Sequence, residues 1–160
     1  MDMALLVAAR WLHLLAATTW VGGLIFMNLV LTPAVSARGI PPAPVRMMGI
    51  ARFRPFAWGS IGVILVTGLV NLFRGAPSLD FLFATAWGNV ILVKIFLFAA
   101  MVVVTGVNSW FVFPHLRQQA AAPRRPGSAV PGEKALVLLS RTNLALGVAA
   151  LLAVAVLRQV

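Results

Sequence analysis

The feature that most constrains this chain is a set of four apolar stretches, each long enough to cross a lipid bilayer as an α-helix. About 20 apolar residues in a helix span the hydrocarbon core. Within lipid, a helix or a closed barrel is needed to satisfy every backbone polar group. The stretches cover about residues 5–31, 56–73, 87–113 and 135–157. The sequence therefore predicts an all-α integral membrane four-helix bundle, with residues 1–160 forming one transmembrane domain.

Composition supports a surface that faces lipid. Hydrophobic residues make up 61% of the chain and charged residues only 10%, whereas a soluble domain carries about 25% charged residues. The formal net charge of +10 would favour a nucleic-acid partner in a soluble protein. Because the basic residues lie mostly between the apolar stretches, we predict the lipid bilayer as the partner and no nucleic acid.

The distribution of basic residues predicts the orientation in the membrane. The connections between the first and second stretches and between the third and fourth hold eight basic residues: Arg38, Arg46, Arg52, Arg54, Arg117, Arg124, Arg125 and Lys134. The opposite side holds Arg10, Arg74 and Arg158. Basic loops stay in the cytoplasm, so we predict a bacterial-type cytoplasmic (inner) membrane protein with both termini outside.

The first connection has two parts. Residues 40–44 contain three prolines and predict a turn-rich linker. Residues 45–53 mix Met and Phe with Arg46 and Arg52, which predicts a short separate helix in the membrane interface.

Two ionisable residues lie well inside the apolar stretches. His13 and Lys94 each come about seven or eight residues after the outer start of a helix, which puts both about 10–12 Å below the outer surface. Ionisable groups inside a membrane are costly and therefore mark candidate functional sites. The matching depth predicts that the two side chains meet.

Other residues are predicted to surround this pair. Arg10 and Trp20 share the helical face of His13, while Thr67 and Gly68 fall at the same depth on the second helix. Arg74 ends the second helix at the same surface. We therefore predict a site among the first three helices, near the outer leaflet.

Haem b is one cofactor that such a site suits. Histidine is a usual axial ligand of haem iron, and a neutral Lys94 amine would supply the second ligand. Arg10 or Arg74 would pair with the propionates. The alternative is that Lys94 extends toward the headgroups and His13 bonds to a neighbouring helix.

Copper is the second possibility, because Cu(I) prefers soft ligands such as methionine and accepts histidine. Met27 and Met101 are the candidate sulfur ligands, although methionines in membrane helices often serve packing. Met27 lies about 20 Å along its helix from His13, so the two cannot bind one ion. Asn143 and Arg141 are predicted to make contacts between helices.

Several chemistries are excluded. The chain has no cysteine, so it has neither disulfides nor thiolate metal ligands. Its three acidic residues, Asp2, Asp80 and Glu133, lie outside the apolar stretches. No pair of carboxylates is therefore available for acid–base catalysis or a proton relay.

Three short motifs resemble the CopD-type copper-resistance membrane proteins. The first runs from His13 through Trp20 and Gly22-Gly23 to Leu24, the second is Val66-Thr67-Gly68-Leu69, and the third runs from Trp87 to Lys94. The same framework resembles the HemJ-type protoporphyrinogen oxidases. That resemblance implies haem b held by His13 and Lys94, with Trp20 nearby. The HemJ-like motif after the first-helix Trp is replaced here by Phe26-Met27-Asn28, and Leu144 replaces an acidic residue.

Three functional hypotheses follow. The first is a CopD/HemJ-like protein that binds haem b between the first and third helices, for membrane electron transfer or an oxidase-type reaction; it would be a haem-dependent oxidoreductase. The second is copper transport or copper tolerance without haem. The third is a non-catalytic subunit of a membrane complex. A homo-oligomer or a membrane redox partner fits any of them.

Overall fold

The computed structural model describes residues 3–40, 42–76, 78–121 and 132–157, and these are helical almost throughout. Helix α1 is Met3–Ser36, α2 is Pro42–Gly75, and α3 is the short Leu79–Ala84. Helix α4 consists of three consecutive segments, Ala86–Val107, Asn108–Val112 and Phe113–Ala121. Helix α5 is Glu133–Leu157. Helices α1, α2, α4 and α5 are long and apolar enough to cross a membrane.

The predicted all-α, four-helix membrane architecture is thus confirmed. Four residues named above, Asp2, Arg124, Arg125 and Arg158, lie outside the described residues.

Helices α1 and α4 run past the predicted ends at residues 31 and 113, through a proline in each case. A π-helical segment precedes each proline: Phe26–Leu31 before Pro33, and Asn108–Val112 before Pro114. In these segments the Thr32 N–H bonds to the Met27 carbonyl and the Phe113 N–H to the Asn108 carbonyl. The wider turn accommodates a residue that cannot donate a backbone hydrogen bond, so the predicted helix ends were wrong.

The start of α2 also differs from the prediction. Pro55 lies inside one continuous helix, Pro42–Gly75, so the predicted separate interface helix at residues 45–53 is wrong. Pro42 begins this helix and Pro44 lies in its first turn, where a missing N–H costs little. Within the described part of the predicted linker, the chain is therefore already helical from Pro42 onward.

Helices α3 and α4 meet at a tight corner. The Ser78 hydroxyl accepts a hydrogen bond from the Phe81 N–H, and the Thr85 hydroxyl accepts one from the Gly88 N–H. These are N-caps that satisfy otherwise unpaired donors. A side chain at Gly88 would overlap the Leu82 backbone, so this corner requires glycine.

The transmembrane helices pack as two pairs. Helix α1 lies along α2, α4 lies along α5, and α1 also meets α5. Side chains bridge α2 and α4: the rings of Trp58 and Trp110 stack with centroids 4.8 Å apart. The middle of the bundle is an apolar layer, which we call the core layer, formed by Trp20, Ile61, Ile64, Phe98 and Met101.

The contact between α1 and α2 depends on a small residue. A methyl group on Gly23 would overlap the ring of Phe53, whereas one on the neighbouring Gly22 would have nothing within 4 Å. We expect Gly23→Ala to lower the free energy of unfolding by about 1–3 kcal/mol, because overpacking forces neighbours to shift. Thermal unfolding in detergent measures this effect.

Gly22→Ala is the matched control for that experiment. It should leave the unfolding temperature unchanged or raise it, since alanine favours a helix by up to about 1 kcal/mol. Equal unfolding temperatures for the two variants would show that Gly23 is not a point of close packing.

Candidate functional site

His13 is held in place by helix α2. Its ring Nδ1 lies 2.9 Å from the Thr67 hydroxyl oxygen, and the Ile64 backbone also bonds to the ring. The Thr67 hydroxyl donates its single hydrogen to the Val63 carbonyl. It must therefore accept from His13, so Nδ1 carries the proton and Nε2 keeps a free lone pair.

Gly68 makes room for the imidazole ring. A methyl group added at Gly68 would lie 3.4 Å from Cε1 of His13, so the ring packs directly against this backbone. The Thr67-Gly68 pair thus has two separate roles: the hydroxyl orients the ring, and the missing side chain lets the ring approach α2. The structure brings together three residues predicted for the site: His13, Thr67 and Gly68.

Lys94 reaches the same region from α4. Its side chain is half-buried, and its charge acts on the imidazole of His13. Among the described residues, no hydrogen bond joins the amine to the ring, so the meeting of the two side chains stays a prediction. Arg10 and Arg74 are exposed, and within the described residues neither has a hydrogen bond to His13.

Trp20, Met101 and Met27 lie outside the group formed by His13, Thr67 and Gly68. Trp20 is 1% exposed and Met101 is 3% exposed, and both belong to the core layer. Trp20 meets Phe98 edge to face, with ring centroids 6.0 Å apart. Met27 lies against Gly49 of α2, about 20 Å along α1 from His13. Trp20 and Met101 therefore share the core layer, whereas Met27 lies outside it.

The residues present do not form a closed metal centre. Within the described ranges, no group of three or more His, Cys, Asp or Glu side chains could bind a metal ion together. A structural metal site is usually closed by four such ligands.

The haem b hypothesis can be compared with the packing around His13. The ring lies against Gly68, and Trp20 meets Phe98 edge to face in the core layer. The prediction that haem b binds between His13 and Lys94 gains no support from this packing.

A second polar group was missed by the sequence reasoning. Asn143 donates to the Thr105 hydroxyl at 2.8 Å, Asn28 donates to the Ser140 hydroxyl at 2.9 Å, and Trp58 donates to the Ser109 hydroxyl at 3.4 Å. The predicted role of Asn143 as a contact between helices agrees with its bond. The sequence signal for the other contacts was the recurrence of Asn and Ser within the apolar stretches, at positions away from the level of His13.

The orientation of the His13 ring is testable through Thr67. We expect Thr67→Val to remove the main acceptor of the Nδ1 proton, mix the two ring tautomers and destabilise the protein by about 1 kcal/mol. Nitrogen-15 NMR of the labelled imidazole reports the tautomer directly. Thr67→Ser keeps the hydroxyl and should retain the wild-type spectrum; identical spectra for Thr67→Val and wild type would contradict the assignment.

The amino-acid sequence is similar to those of two known proteins. The chain is 38% identical over 98 residues to the copper transport protein CutJ of Bacillus subtilis (strain 168), which covers 61% of this chain and 18% of that protein. It is 31% identical over 119 residues to the inner membrane protein YebZ of Escherichia coli (strain K12), covering 70% of this chain and 38% of that protein. The chain thus spans well under half the length of either relative. No solved structure matches it.

The family profile described as copper resistance protein D, CopD, matches residues 47–157. This range includes Thr67, Gly68 and Lys94 and begins after His13. Because the match covers more than half of the chain, this four-helix membrane protein belongs to the CopD family.

Proposed function

We propose that this protein transfers copper ions across the membrane, and that His13 receives the ion at one end of the bundle. The observation that carries the proposal is the arrangement of His13, whose Nδ1 bonds to Thr67 within the apolar bundle while Nε2 stays available. The copper transport protein CutJ, at 38% identity, supports copper as the ion.

The chemistry of His13 suits a metal ion. Metal-binding histidines usually donate the second ring N–H to an oxygen, which fixes the tautomer and strengthens the ligand. Neutral imidazole is a good ligand for copper, and methionine sulfur is a good ligand for Cu(I). A site that must release its ion requires weak binding, which a single imidazole ligand would provide.

Met101 and Met27 supply sulfur atoms farther along the bundle axis. Met101 lies in the core layer and Met27 at the opposite end from His13. An ion that leaves His13 would meet a buried thioether before it reaches the far end. Both residues therefore belong in the proposed path as soft donors, separate from the His13 site.

The proposed orientation places His13 near the outer face of the cytoplasmic membrane. The described basic residues of the first connection, including Arg38 and Arg52, lie at the opposite end of the bundle from His13. The positive-inside rule keeps such residues in the cytoplasm. The copper ion would then enter from outside and leave toward the cytoplasm.

The two histidines of the chain provide a controlled test. We expect His13→Ala to abolish most copper accumulation when the protein is expressed in a bacterial host that lacks its own CopD-family protein. Cellular copper measured by mass spectrometry is the readout. His115→Ala should keep the wild-type level, because His115 is exposed and bonds to Gln119 in the same helix.

Thr67→Val provides an intermediate case in the same assay. Loss of a ligand-orienting partner typically weakens metal affinity roughly 10–100-fold, so accumulation at low external copper should fall while that at high copper recovers. Equal accumulation for wild type, His13→Ala and Thr67→Val would contradict copper transfer through His13. A Soret band in the purified protein that disappears in His13→Ala would instead favour haem.

A further inference from the structure

A small, partly open cavity lies at the end of the bundle opposite His13. Its volume is about 50 Å³, and all four transmembrane helices line it. Six polar residues contribute to its wall: Arg54, Thr105, Asn108, Ser109, Ser140 and Asn143. Trp20 of the core layer also lines it, so the apolar middle of the bundle separates the cavity from His13. We call this space the inner cavity.

Two amide oxygens in this wall have no hydrogen-bond partner among the described residues. They are Oδ1 of Asn108 and Oδ1 of Asn143, and both atoms are buried. Asn143 as a whole is only 5% exposed, and its amide nitrogen is already used by Thr105. A buried polar atom without a partner is costly, so the occupant of this cavity must donate hydrogen bonds.

The π-helical segments add a backbone acceptor to the same place. The Phe113 N–H bonds to the Asn108 carbonyl, and Pro114, the next residue, has no N–H to donate. The Ser109 carbonyl is thereby released to a side chain, and Nη1 of Arg54 lies 3.5 Å from it. The π-helical segment of α1 likewise contributes Met27 to the cavity wall. Such segments are frequent at functional sites.

We propose that the inner cavity holds a small cluster of water molecules bound by the amide oxygens of Asn108 and Asn143. A volume near 50 Å³ accepts a few waters, each of which needs about 10–15 Å³ of such space and two to four polar partners. Arg54 is the charged residue of the cavity wall, and no carboxylate is among the lining residues. Its positive charge disfavours a resting cation, so neutral water is the donor that fits.

This inference does not rest on the proposed copper transfer, although Met27, a donor in that proposed path, also lines the inner cavity. The proposed water lies in the inner cavity, at the end of the bundle away from His13. The apolar core layer, which includes Trp20, Phe98 and Met101, lies between the two sites. Among the described residues, no polar side chain of the core layer connects the two levels. The inner cavity and the His13 site are therefore separate polar regions.

Radiolytic footprinting of the intact wild-type protein in detergent tests the proposal. Hydroxyl radicals formed from bound water oxidise neighbouring methionines, and two methionines of the chain can be compared. Met27 lines the inner cavity and is half-buried, while Met101 belongs to the core layer and is 3% exposed. We expect Met27 to be oxidised several-fold faster than Met101, as measured by peptide mass spectrometry. Oxidation of Met27 no faster than that of Met101 would overturn the proposal.

Variants of two asparagines on α4 separate bound water from general exposure. Asn108→Leu removes one unpartnered oxygen at similar volume and should slow the oxidation of Met27 several-fold. Asn89→Leu makes the same change at the exposed opposite end of α4 and should leave the rate unchanged. The exposed Met48 serves as an internal reference in every sample, and an unchanged ratio of Met27 to Met48 oxidation in Asn108→Leu would argue against the bound water.

Discussion

The absence of water from the bilayer core is the constraint on which the rest of this structure depends. Each polar side chain within the transmembrane helices needs a partner inside the bundle, because lipid offers none. His13 finds Thr67, Asn143 finds Thr105, and Asn28 finds Ser140. These pairs join α1 to α2, α4 to α5 and α1 to α5, so the few polar residues of the chain also specify which helices are neighbours.

The architecture and part of the site could be predicted from sequence because both follow from simple physical patterns. Apolar length gave the number of transmembrane helices, and the rise per residue put His13, Thr67 and Lys94 at one level. The Arg10 and Arg74 side chains could not be placed in this way, since long exposed side chains have no single direction set by helical spacing. The haem hypothesis went further than spacing allows, because depth alone does not report the space between helices.

The helix ends were mispredicted for a reason that concerns proline in membranes. In a soluble protein a proline often ends a helix, because water can take over the carbonyl that loses its donor. Here Pro33 and Pro114 each follow a π-helical segment that moves the hydrogen bonds by one residue. The helix continues, and the released carbonyl of Ser109 is taken by Arg54. Sequence patterns do not reveal such a rearrangement, since it depends on a partner from another helix.

The support of His13 by α2 has a consequence for how the site responds to its surroundings. The imidazole is attached to the α1–α2 pair through Thr67, whereas the Lys94 amine belongs to the α4–α5 pair. Helices adjust their tilt when the hydrocarbon thickness changes, and a relative tilt of the two pairs changes the separation of imidazole and amine. The separation between the imidazole and the amine is thereby coupled to the thickness of the surrounding membrane.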